Sequence, residues 1–371
     1  MRLTMTPMQE IELKFQIPAP ALEALRAEVS ALPGGQAPAQ KLQAAYFDTP
    51  DRKLARARAA LRVRQEDDDW VQTLKAAGAH AMTRLEDNQP VPAFAPDQAI
   101  RPDLSRHQDE AVRQALMRDL AWQPDADPTG AQTGLVQLYR TDMLRQRAHV
   151  NRPEADPILS GQLEIALDTG RITAAHLHVP VRELEIELLS GHPQAVLDCA
   201  RGLIVRHGLW LDTQTKAHRG DQLAREAASG LPSPRPPVRP ATPVRTEQSA
   251  LQHWLGALDA ALDQVCANAS EVALHEASTP MDLAPWIKAW AHGLRRLRRT
   301  WVYAPDGLLA RTLSAEQVSS VPVRISEQLR LLRLQAGTWA SPMAASQLAR
   351  STAPTLLALD VLQVIVRADT A

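Results

Sequence analysis

Several short segments of the chain place residues of like charge at every second position. The segment 183–188 reads ELEIEL and the segment 61–64 reads LRVR. Side chains two positions apart on a β-strand share one face, so the first segment presents carboxylates and the second presents guanidinium groups. Carboxylate oxygens are the ligands that Mg²⁺ and Mn²⁺ prefer, and arginine suits phosphate oxygens. These residues indicate chemistry on a phosphate compound, assisted by a divalent cation.

The same alternation of charged and apolar residues recurs in five more segments. They are EIELK (10–14), TLK (73–75), RLE (84–86), RQR (145–147) and EIALD (164–168). For any one strand, a solvent-exposed charged face is the ordinary interpretation. Together, strands that are purely acidic or purely basic favour a closed sheet whose charged faces point into one lumen. The apolar faces then point outward and need helices to cover them.

Three segments in the first part of the chain have helical patterns and can supply that cover. They are Pro20–Leu32, Ser105–Leu120 and Gln194–His207. The patterns predict strand and turn for the rest of this part.

A proline-rich stretch divides the chain. Ser229–Thr246 contains six prolines, and proline lacks the backbone donor that a helix or an inner strand needs. We expect a first domain at 1–228, a linker at 229–247 and a helical domain at 248–371. In the last of these, apolar residues from Leu251 to Val265 follow the i, i+3, i+4, i+7 spacing of a helix. Further helices are expected around 286–301, 323–334 and 356–366.

The composition predicts an ordinary globular protein. The formal net charge is −1 at pH 7, and we expect no nucleic-acid partner. No uninterrupted apolar run approaches the ~18 residues of a membrane span, and no apolar region follows a basic start, as a secretory signal would require. The two cysteines fit a reducing compartment. The sequence therefore predicts a cytoplasmic protein without membrane contact, and it leaves the oligomeric state open.

The charged motifs together resemble the CYTH superfamily, the triphosphate tunnel metalloenzymes. The similarity covers roughly residues 8–225, with the motifs in the family's order. They are EIELK (10–14), which is similar to the family's ExExK signature, YFDTP (46–50) followed by Leu54, the basic strands LRVR (61–64) and TLK (73–75), the acidic strands QLEIALDTG (162–170) and ELEIEL (183–188), and TKAHRG (215–220). The relatives that it most resembles are bacterial inorganic triphosphatases with a CHAD domain after the barrel.

The resemblance implies an α+β fold, in which an eight-stranded antiparallel barrel with flanking helices precedes a small all-α domain. It also implies hydrolysis of inorganic triphosphate with Mg²⁺ or Mn²⁺ inside the barrel. The implied metal ligands are Glu10, Glu12, Asp168, Glu183, Glu185 and Glu187. The implied triphosphate-binding residues are Lys14, Arg62, Arg64, Lys75, Arg145 and Arg219, and the implied catalytic residues are Lys14, Glu86 and Lys216.

Two points stay open at this level. The sequence does not decide which of the three late glutamates ligates the metal directly. The general base is either a carboxylate or a lysine with a lowered pKa.

Within the same fold, thiamine triphosphatase and class IV adenylate cyclase are alternative activities. A protein that captures polyphosphate or nucleotides without turnover is an alternative of another class.

The helical tail carries one basic cluster, which consists of Lys288, Arg295, Arg296, Arg298 and Arg299. Its RRLR core resembles the signature helix of CHAD domains, and the resemblance implies contact with polyphosphate. Two features depart from that family: the tail is short, and Lys288 and Ala291 stand where a histidine and an arginine are usual. The competing interpretation is a solvated helix face.

Overall fold

The computed structural model describes residues 11–77, 84–95, 98–152, 160–239, 249–275, 281–333 and 341–368. The predicted metal ligand Glu10 lies outside these ranges, as do residues 240–248, which include the end of the proline-rich stretch. For Glu86 the backbone is described and the side chain is not.

A single antiparallel sheet dominates the first part of the chain. Its strands are β1 (Glu12–Gln16), β2 (Gln40–Asp48), β3 (Ala60–Glu66), β4 (Asp69–Ala77), β5 (Arg84–Pro90), β6 (Val136–Arg152), β7 (Gly161–Ala174), β8 (Leu177–Gly191) and β9 (Trp210–Leu211). Their order is β5-β4-β3-β2-β6-β7-β8-β1-β9. The α+β class and the antiparallel arrangement are confirmed, but the described residues form nine strands and not eight. The unpredicted strand, β9, is too short for an alternating pattern to reveal.

Helices flank the sheet and make up the C-terminal part. The described α-helices are α1 (Leu22–Ala31), α2 (Lys53–Arg56), α3 (Glu110–Leu120), α4 (Gln194–His207), α5 (Lys216–Ser229), α6 (Ala250–Leu274), α7 (Ala284–Val302), α8 (Leu308–Thr312), α9 (Ala315–Arg333), α10 (Pro342–Ala349) and α11 (Thr352–Ala368). The three helices predicted before the proline-rich stretch are confirmed as α1, α3 and α4. Those predicted after it are confirmed as α6, α7, α9 and α11.

Helix α5 contradicts the expectation of strand and turn before the proline-rich stretch. Thr215 caps its first turn, because the Thr215 side chain accepts a hydrogen bond from the backbone N–H of His218 at 3.1 Å. Gly230 ends the helix in the left-handed conformation that glycine tolerates. Lys216 and Arg219 therefore project from a helix, and not from a strand or a loop.

The apolar faces of the strands point away from the charged side, and helices cover them as predicted. Phe15 of β1 is buried with Leu25 of α1 and Ile204 of α4. On the other half of the sheet, Leu61 of β3 is buried with Leu116 of α3. Burial of each such side chain contributes about 1.5–3 kcal/mol to stability. The helices therefore pack on the apolar face of the sheet and leave the opposite, charged face for the site.

Helix α5 lies on the same face of the sheet as the charged side chains. Tyr46 of β2 and Tyr139 of β6 stack there with ring centroids 4.7 Å apart. The Tyr139 hydroxyl donates a hydrogen bond to the Ala217 carbonyl at 3.0 Å, and Leu223 is buried in the same apolar cluster. Gly220 faces the Tyr139 ring so closely that a β-carbon would overlap it. The helix is therefore seated directly on the sheet.

The C-terminal helices have their own apolar core and also contact the sheet part. Trp290 and Leu294 of α7 are fully buried in that core. Leu359 of α11 instead joins the apolar cluster beneath α4. Beside it, the Arg201 guanidinium of α4 donates to the Asp360 carboxylate at 2.9 Å. The two parts of the chain share packing and an ion pair.

The described part of the proline-rich stretch, 231–239, has no regular secondary structure. It runs against the C-terminal helices: the backbone N–H of Val238 donates to the Asn268 side chain at 3.1 Å, and the Trp286 indole donates to the Arg235 carbonyl at 2.7 Å. The division into domains at residues 228 and 247 stays a prediction.

No single helix in the described ranges has both the length and the apolar composition to cross a membrane. Helices α10 and α11 meet these criteria only as a pair, and the pair is bent by 50°.

The contact between α5 and Tyr139 predicts the effect of a small substitution. We expect Gly220→Ala to lower the free energy of unfolding by about 1–3 kcal/mol, because the added methyl group overpacks the ring. The control is Gly256→Ala in α6, where a β-carbon meets nothing within 4 Å and where alanine should stabilise the helix by up to ~1 kcal/mol. Chemical denaturation measures both, and equal stabilisation by the two substitutions would contradict the seating of α5.

Candidate active site

The register of four neighbouring strands lines up three rows of side chains on one face of the sheet. The first row is Gln16, Glu183, Asp168 and Arg145, the second is Lys14, Glu185, Ala166 and Arg147, and the third is Glu12, Glu187, Glu164 and His149. Each row crosses β1, β8, β7 and β6 in that order. Most of the residues predicted for the metal and the triphosphate on these strands therefore lie side by side.

The Lys216 ammonium lies among three carboxylates of the first two rows. Its Nζ atom is 2.6 Å from Glu183 Oε2, 2.8 Å from Asp168 Oδ2 and 2.8 Å from Glu185 Oε1. Oxygens of these three acids come within 4.8 Å of one another. We call Asp168, Glu183 and Glu185 the acidic triad.

Two arginines complete the neutralisation of the acidic triad. Arg145 binds Asp168 through two parallel hydrogen bonds of 2.7 Å each and reaches Glu185 at 2.5 Å. Arg219, one turn along α5 from Lys216, donates to Glu183 at 2.7 Å. The three acids thus face three cations. A buried set of charges is tolerated only when it is paired in this way.

Burial and charge set the protonation states in the acidic triad. Burial acts to lower the pKa of Lys216, but the charges of Glu183, Asp168 and Glu185 outweigh it and raise the pKa above its ordinary value. Burial acts to raise the pKa of Glu183, but Lys216, Lys14 and Arg219 outweigh it and lower the pKa. Lys216 is therefore a permanent cation at neutral pH, which argues against Lys216 as a general base.

Lys14 in the second row is the exception to this pairing. Its ammonium nitrogen is shielded from solvent and has no hydrogen-bond partner among the residues that the structure describes. It lies in register with Glu185. A buried cation without a partner is costly, so this position suits the oxygen of an anionic ligand.

The basic strand β3 supplies cations on the same face. The Arg62 guanidinium donates to the Tyr46 hydroxyl at 3.4 Å, and Arg64 forms an ion pair with Glu66. Burial acts to raise the pKa of the Tyr46 phenol, but the positive charges of Arg62, Lys216 and Arg64 outweigh it and lower the pKa. Tyr46 is therefore within electrostatic reach of both the basic strand β3 and Lys216, which connects the two sets of charges.

Strands β4 and β5 carry the remaining predicted residues. Lys75 lies in register with Glu86, so the two residues occupy neighbouring positions on one face. On the same face, the Thr73 hydroxyl donates to the Asn88 side chain at 2.7 Å. In the sheet order, β3 and β2 stand between β4 and the strands that carry Arg145 and the acidic triad, and the side chain of Glu86 is outside the described part of the structure.

The third row is more exposed and has an excess of negative charge. Glu12 is exposed, whereas Glu164 and Glu187 are half-buried. Arg147 lies 3.4 Å from Glu164, and His149 lies 3.8 Å from it. Carboxylates placed directly opposite on neighbouring strands repel one another unless a cation intervenes. Carboxylate oxygens are ligands that a hard divalent cation accepts, but within the described residues only the acidic triad brings three carboxylates within 4.8 Å of one another.

Some members of the site were not among the predicted residues. The Gln16 side chain donates to both Glu183 at 3.0 Å and Asp212 at 2.7 Å. Gln16 continues the spacing of Glu12 and Lys14 by two, which is the signal that could have identified it. Asp212 has no such signal, because it lies outside any long strand.

Residues 8–220, more than half of the chain, match the CYTH domain. This chain belongs to the CYTH domain family. The match ends inside α5, so it includes Lys216 and Arg219 and leaves out the C-terminal helices. The resemblance of those helices to a CHAD domain stays a prediction.

Individual relatives of this CYTH protein are distant. An inorganic triphosphatase from Haemophilus influenzae is 28% identical over 178 residues, which are 47% of this chain and 44% of that protein. The chain thus spans less than half the length of that relative. An adenylate cyclase candidate from Bacillus halodurans is 19% identical, with 57% of this chain and 96% of the other covered and a TM-score of 0.35. An adenylyl cyclase candidate from Hippeastrum, with a dominant triphosphatase activity, is 20% identical with the same coverage and TM-score.

Removal of the central cation should destabilise the protein in a pH-dependent way. At pH 7 we expect Lys216→Met to cost about 3–5 kcal/mol, because two buried carboxylates and the partly buried Glu185 lose their shared partner. The lowered pKa of Glu183 contributes stability in the wild type above its unfolded pKa of roughly 4.3. Without Lys216 the acids repel one another, their pKa values rise, and protonation relieves the repulsion. The stability difference from wild type should therefore shrink as the pH falls from about 7 to about 4.

Denaturation across this pH range measures the effect. The control is Arg56→Met, which removes an ion pair with Asp51 whose side chains are 62% and 55% exposed, and which should cost less than about 1 kcal/mol at any pH. A pH-independent loss in Lys216→Met would contradict the arrangement.

Proposed function

We propose that this protein hydrolyses inorganic triphosphate to pyrophosphate and orthophosphate with the help of Mg²⁺ or Mn²⁺. The observation that carries the proposal is the buried Lys14 ammonium, which has no hydrogen-bond partner among the described residues. It lies on one face with the acids of β8 and close enough to Glu183 to lower its pKa. A site that combines an unpartnered cation with excess carboxylates suits a polyanion that a metal ion bridges to the protein.

The carboxylates divide into two groups by burial: Asp168 and Glu183 are buried, whereas Glu12, Glu185 and Glu187 are partly or fully exposed. Asp168 and Glu183 are buried and paired with Lys216, Arg145 and Arg219. We infer that these two acids hold the cationic side chains in place. The metal would then be held by Glu12 and Glu187 of the third row, with Glu185 beside them and Glu10 as a further candidate. When bound, a divalent cation supplies neutralisation of the phosphate oxygens.

The chain's own residues would do the rest of the work by position and charge. Lys14, Arg62 and Arg64 would bind the triphosphate oxygens, and Lys75 would extend the basic surface. Water attacks a terminal phosphorus in line with the departing oxygen, the P–O bond to pyrophosphate breaks, and orthophosphate leaves. This reaction depends mainly on orientation and charge neutralisation. Because the raised pKa of Lys216 keeps it charged, a carboxylate such as Glu86 is the better candidate for the general base.

Other activities use the same residues. Thiamine triphosphatase, class IV adenylate cyclase and capture of polyphosphate or nucleotides without turnover would all place a polyphosphate chain on these cations. A panel of tripolyphosphate, ATP and thiamine triphosphate, each with Mg²⁺ and with Mn²⁺, separates them. Turnover that requires the metal excludes the pure binding role.

Phosphate release from tripolyphosphate tests the proposal directly. We expect wild-type turnover that is abolished by EDTA, and a fall in kcat on the order of 100-fold in Glu12→Gln, because the neutral amide weakens metal binding and its charge stabilisation. The control is Glu23→Gln on α1, whose side chain is 82% exposed and does not belong to the three rows of the site. Equal rates in wild type and Glu12→Gln would contradict the proposed role of Glu12 in metal-dependent hydrolysis.

A second binding role is favoured by a cavity in the C-terminal helices. Its volume is about 650 Å³. The arginines that line it are Arg295, Arg298 and Arg299 of α7 and Arg330 and Arg333 of α9. Burial, and then the charge of Arg333, lower the pKa of Arg295, as expected for cations forced together. Lys288 and Arg296 are not among the described lining residues. We infer that this cavity contacts polyphosphate.

Polyphosphate affinity tests the second role. The double variant Arg298→Ala/Arg333→Ala should bind long-chain polyphosphate at least about tenfold more weakly, because two of the converging charges are lost. Arg311→Ala, an exposed arginine outside the cavity, is the matched control. Wild-type affinity should also weaken as salt rises from about 50 to about 500 mM. Absent or salt-insensitive binding would overturn this role.

A further inference from the structure

We propose that Glu271, on helix α6 of the C-terminal part, is a positioning residue for Lys216 and thereby makes that part necessary for turnover at the CYTH site. The proposal deepens the proposed function and rests on it. Glu271 lies outside the residues that match the CYTH domain. Its influence runs through the short segment 212–215, which precedes α5.

The Glu271 carboxylate holds α5 at two points. Its Oε2 accepts a hydrogen bond from the Gln214 side chain at 2.6 Å. Its Oε1 accepts from the Gln222 side chain at 3.2 Å and from the backbone N–H of Arg235 at 3.3 Å. Gln214 lies two residues before the start of α5, and Gln222 lies in its second turn. One buried acid thus fixes both the approach to the helix and the helix itself.

The same segment is tied to the active-site strand on its other side. The backbone N–H of Asp212 donates to the Lys14 carbonyl at 3.0 Å. Asp212 Oδ1 accepts from the Gln214 backbone at 2.8 Å, and Oδ2 accepts from the Gln16 side chain at 2.7 Å. Gln16 in turn donates to Glu183. Consecutive hydrogen bonds therefore join the C-terminal part to the acidic triad.

The segment has a further anchor on α6. The backbone N–H of Thr213 donates to the Ser270 hydroxyl at 3.1 Å, so neighbouring residues of α6 hold neighbouring residues of the segment. Thr215 then caps α5, and Lys216 is the first residue of the helix. A displacement of the segment would carry the Lys216 ammonium with it. Ion pairs with Nζ–O distances of 2.6–2.8 Å to three acids, one of them also a hydrogen bond to Glu185, would be lengthened past contact by a shift of about 1 Å.

The cost of burying Glu271 supports a specific role. Glu271 is only 1% exposed. Burial raises the pKa of its carboxyl to about 7, although the hydrogen bonds from Arg235, Gln222 and Gln214 act to lower it. A buried carboxylate destabilises a fold unless donors satisfy it. Here the donors are the groups that fix the course of α5.

Two variants of α6 separate positioning from general stability. Glu271→Ala removes the acceptor for Gln214 and Gln222. Asn268→Ala removes an equally buried side chain about one turn earlier, 1% exposed, which hydrogen-bonds Val238 and Gln264 and not α5. We expect Glu271→Ala to lower kcat for tripolyphosphate roughly 10-fold to 100-fold, as for a displaced catalytic group, with KM within about twofold. Asn268→Ala should keep kcat within about twofold of wild type.

Hydrogen exchange gives a second readout that needs no turnover. Backbone amides of 213–219 should exchange at least about tenfold faster in Glu271→Ala and at the wild-type rate in Asn268→Ala, because only the first variant releases the segment. If Glu271→Ala does not fold, Gln214→Leu removes the shortest bond alone, and we expect the same directions of change.

The outcomes are distinct. Unchanged exchange at 213–219 in Glu271→Ala and in Gln214→Leu, or an equal loss of kcat in Asn268→Ala, overturns the positioning role. If wild type fails to hydrolyse any triphosphate, the proposed function fails, and the exchange rates alone then decide whether Glu271 positions the segment.

Discussion

The interaction on which this site depends is the contact of one ammonium group with three carboxylates, two of them buried. Strand register brings oxygens of Asp168, Glu183 and Glu185 within 4.8 Å of one another. Like charges at this distance would repel one another strongly in a medium of low polarity. Lys216 converts that repulsion into attraction at distances of 2.6–2.8 Å. Because Lys216 is the first residue of α5, the position of a helix and the charge balance of a sheet become a single constraint.

That constraint divides the charged face into a neutral part and an active part. Where Arg145, Arg219 and Lys216 meet the acidic triad, the charges balance and have no need of a ligand. The Lys14 ammonium has no hydrogen-bond partner within the described residues, and the neighbouring third row holds three glutamates. Under the proposed function, an anion would contact Lys14 and a metal ion would lie between that anion and the glutamates. The arrangement of charges thus favours a bridged polyanion over a simple anion.

The C-terminal helices take part in this arrangement and are not merely attached. Leu359 packs beneath α4, and Glu271 accepts hydrogen bonds from residues that flank or belong to α5. The CYTH match ends at residue 220, yet the chain beyond it contacts the residues that precede Lys216. In this protein the supports of the site extend past the family domain.

The sequence by itself indicated most of the long strands and which of their side chains share a face, but not the short strand β9. The charged residues in 10–14, 61–64 and 183–188 are spaced by two, and side chains two positions apart on a strand always lie on the same face. The sequence likewise indicated the helices that cover the outer face, through the 3.6-residue period of their apolar residues. The family resemblance supplied the order of the motifs and the class of chemistry.

Only the tertiary structure decided which charges neutralise one another. Two residues of like type, Lys14 and Lys216, look equivalent in the sequence, yet one is unpartnered within the described residues and the other is bound by three acids. Their difference arises from contacts between elements far apart in the chain, and the pKa of a buried group depends on those contacts and not on its neighbours in sequence. The role of Glu271 was hidden for the same reason, since a lone glutamate in an apolar helix has no local signal of what it holds.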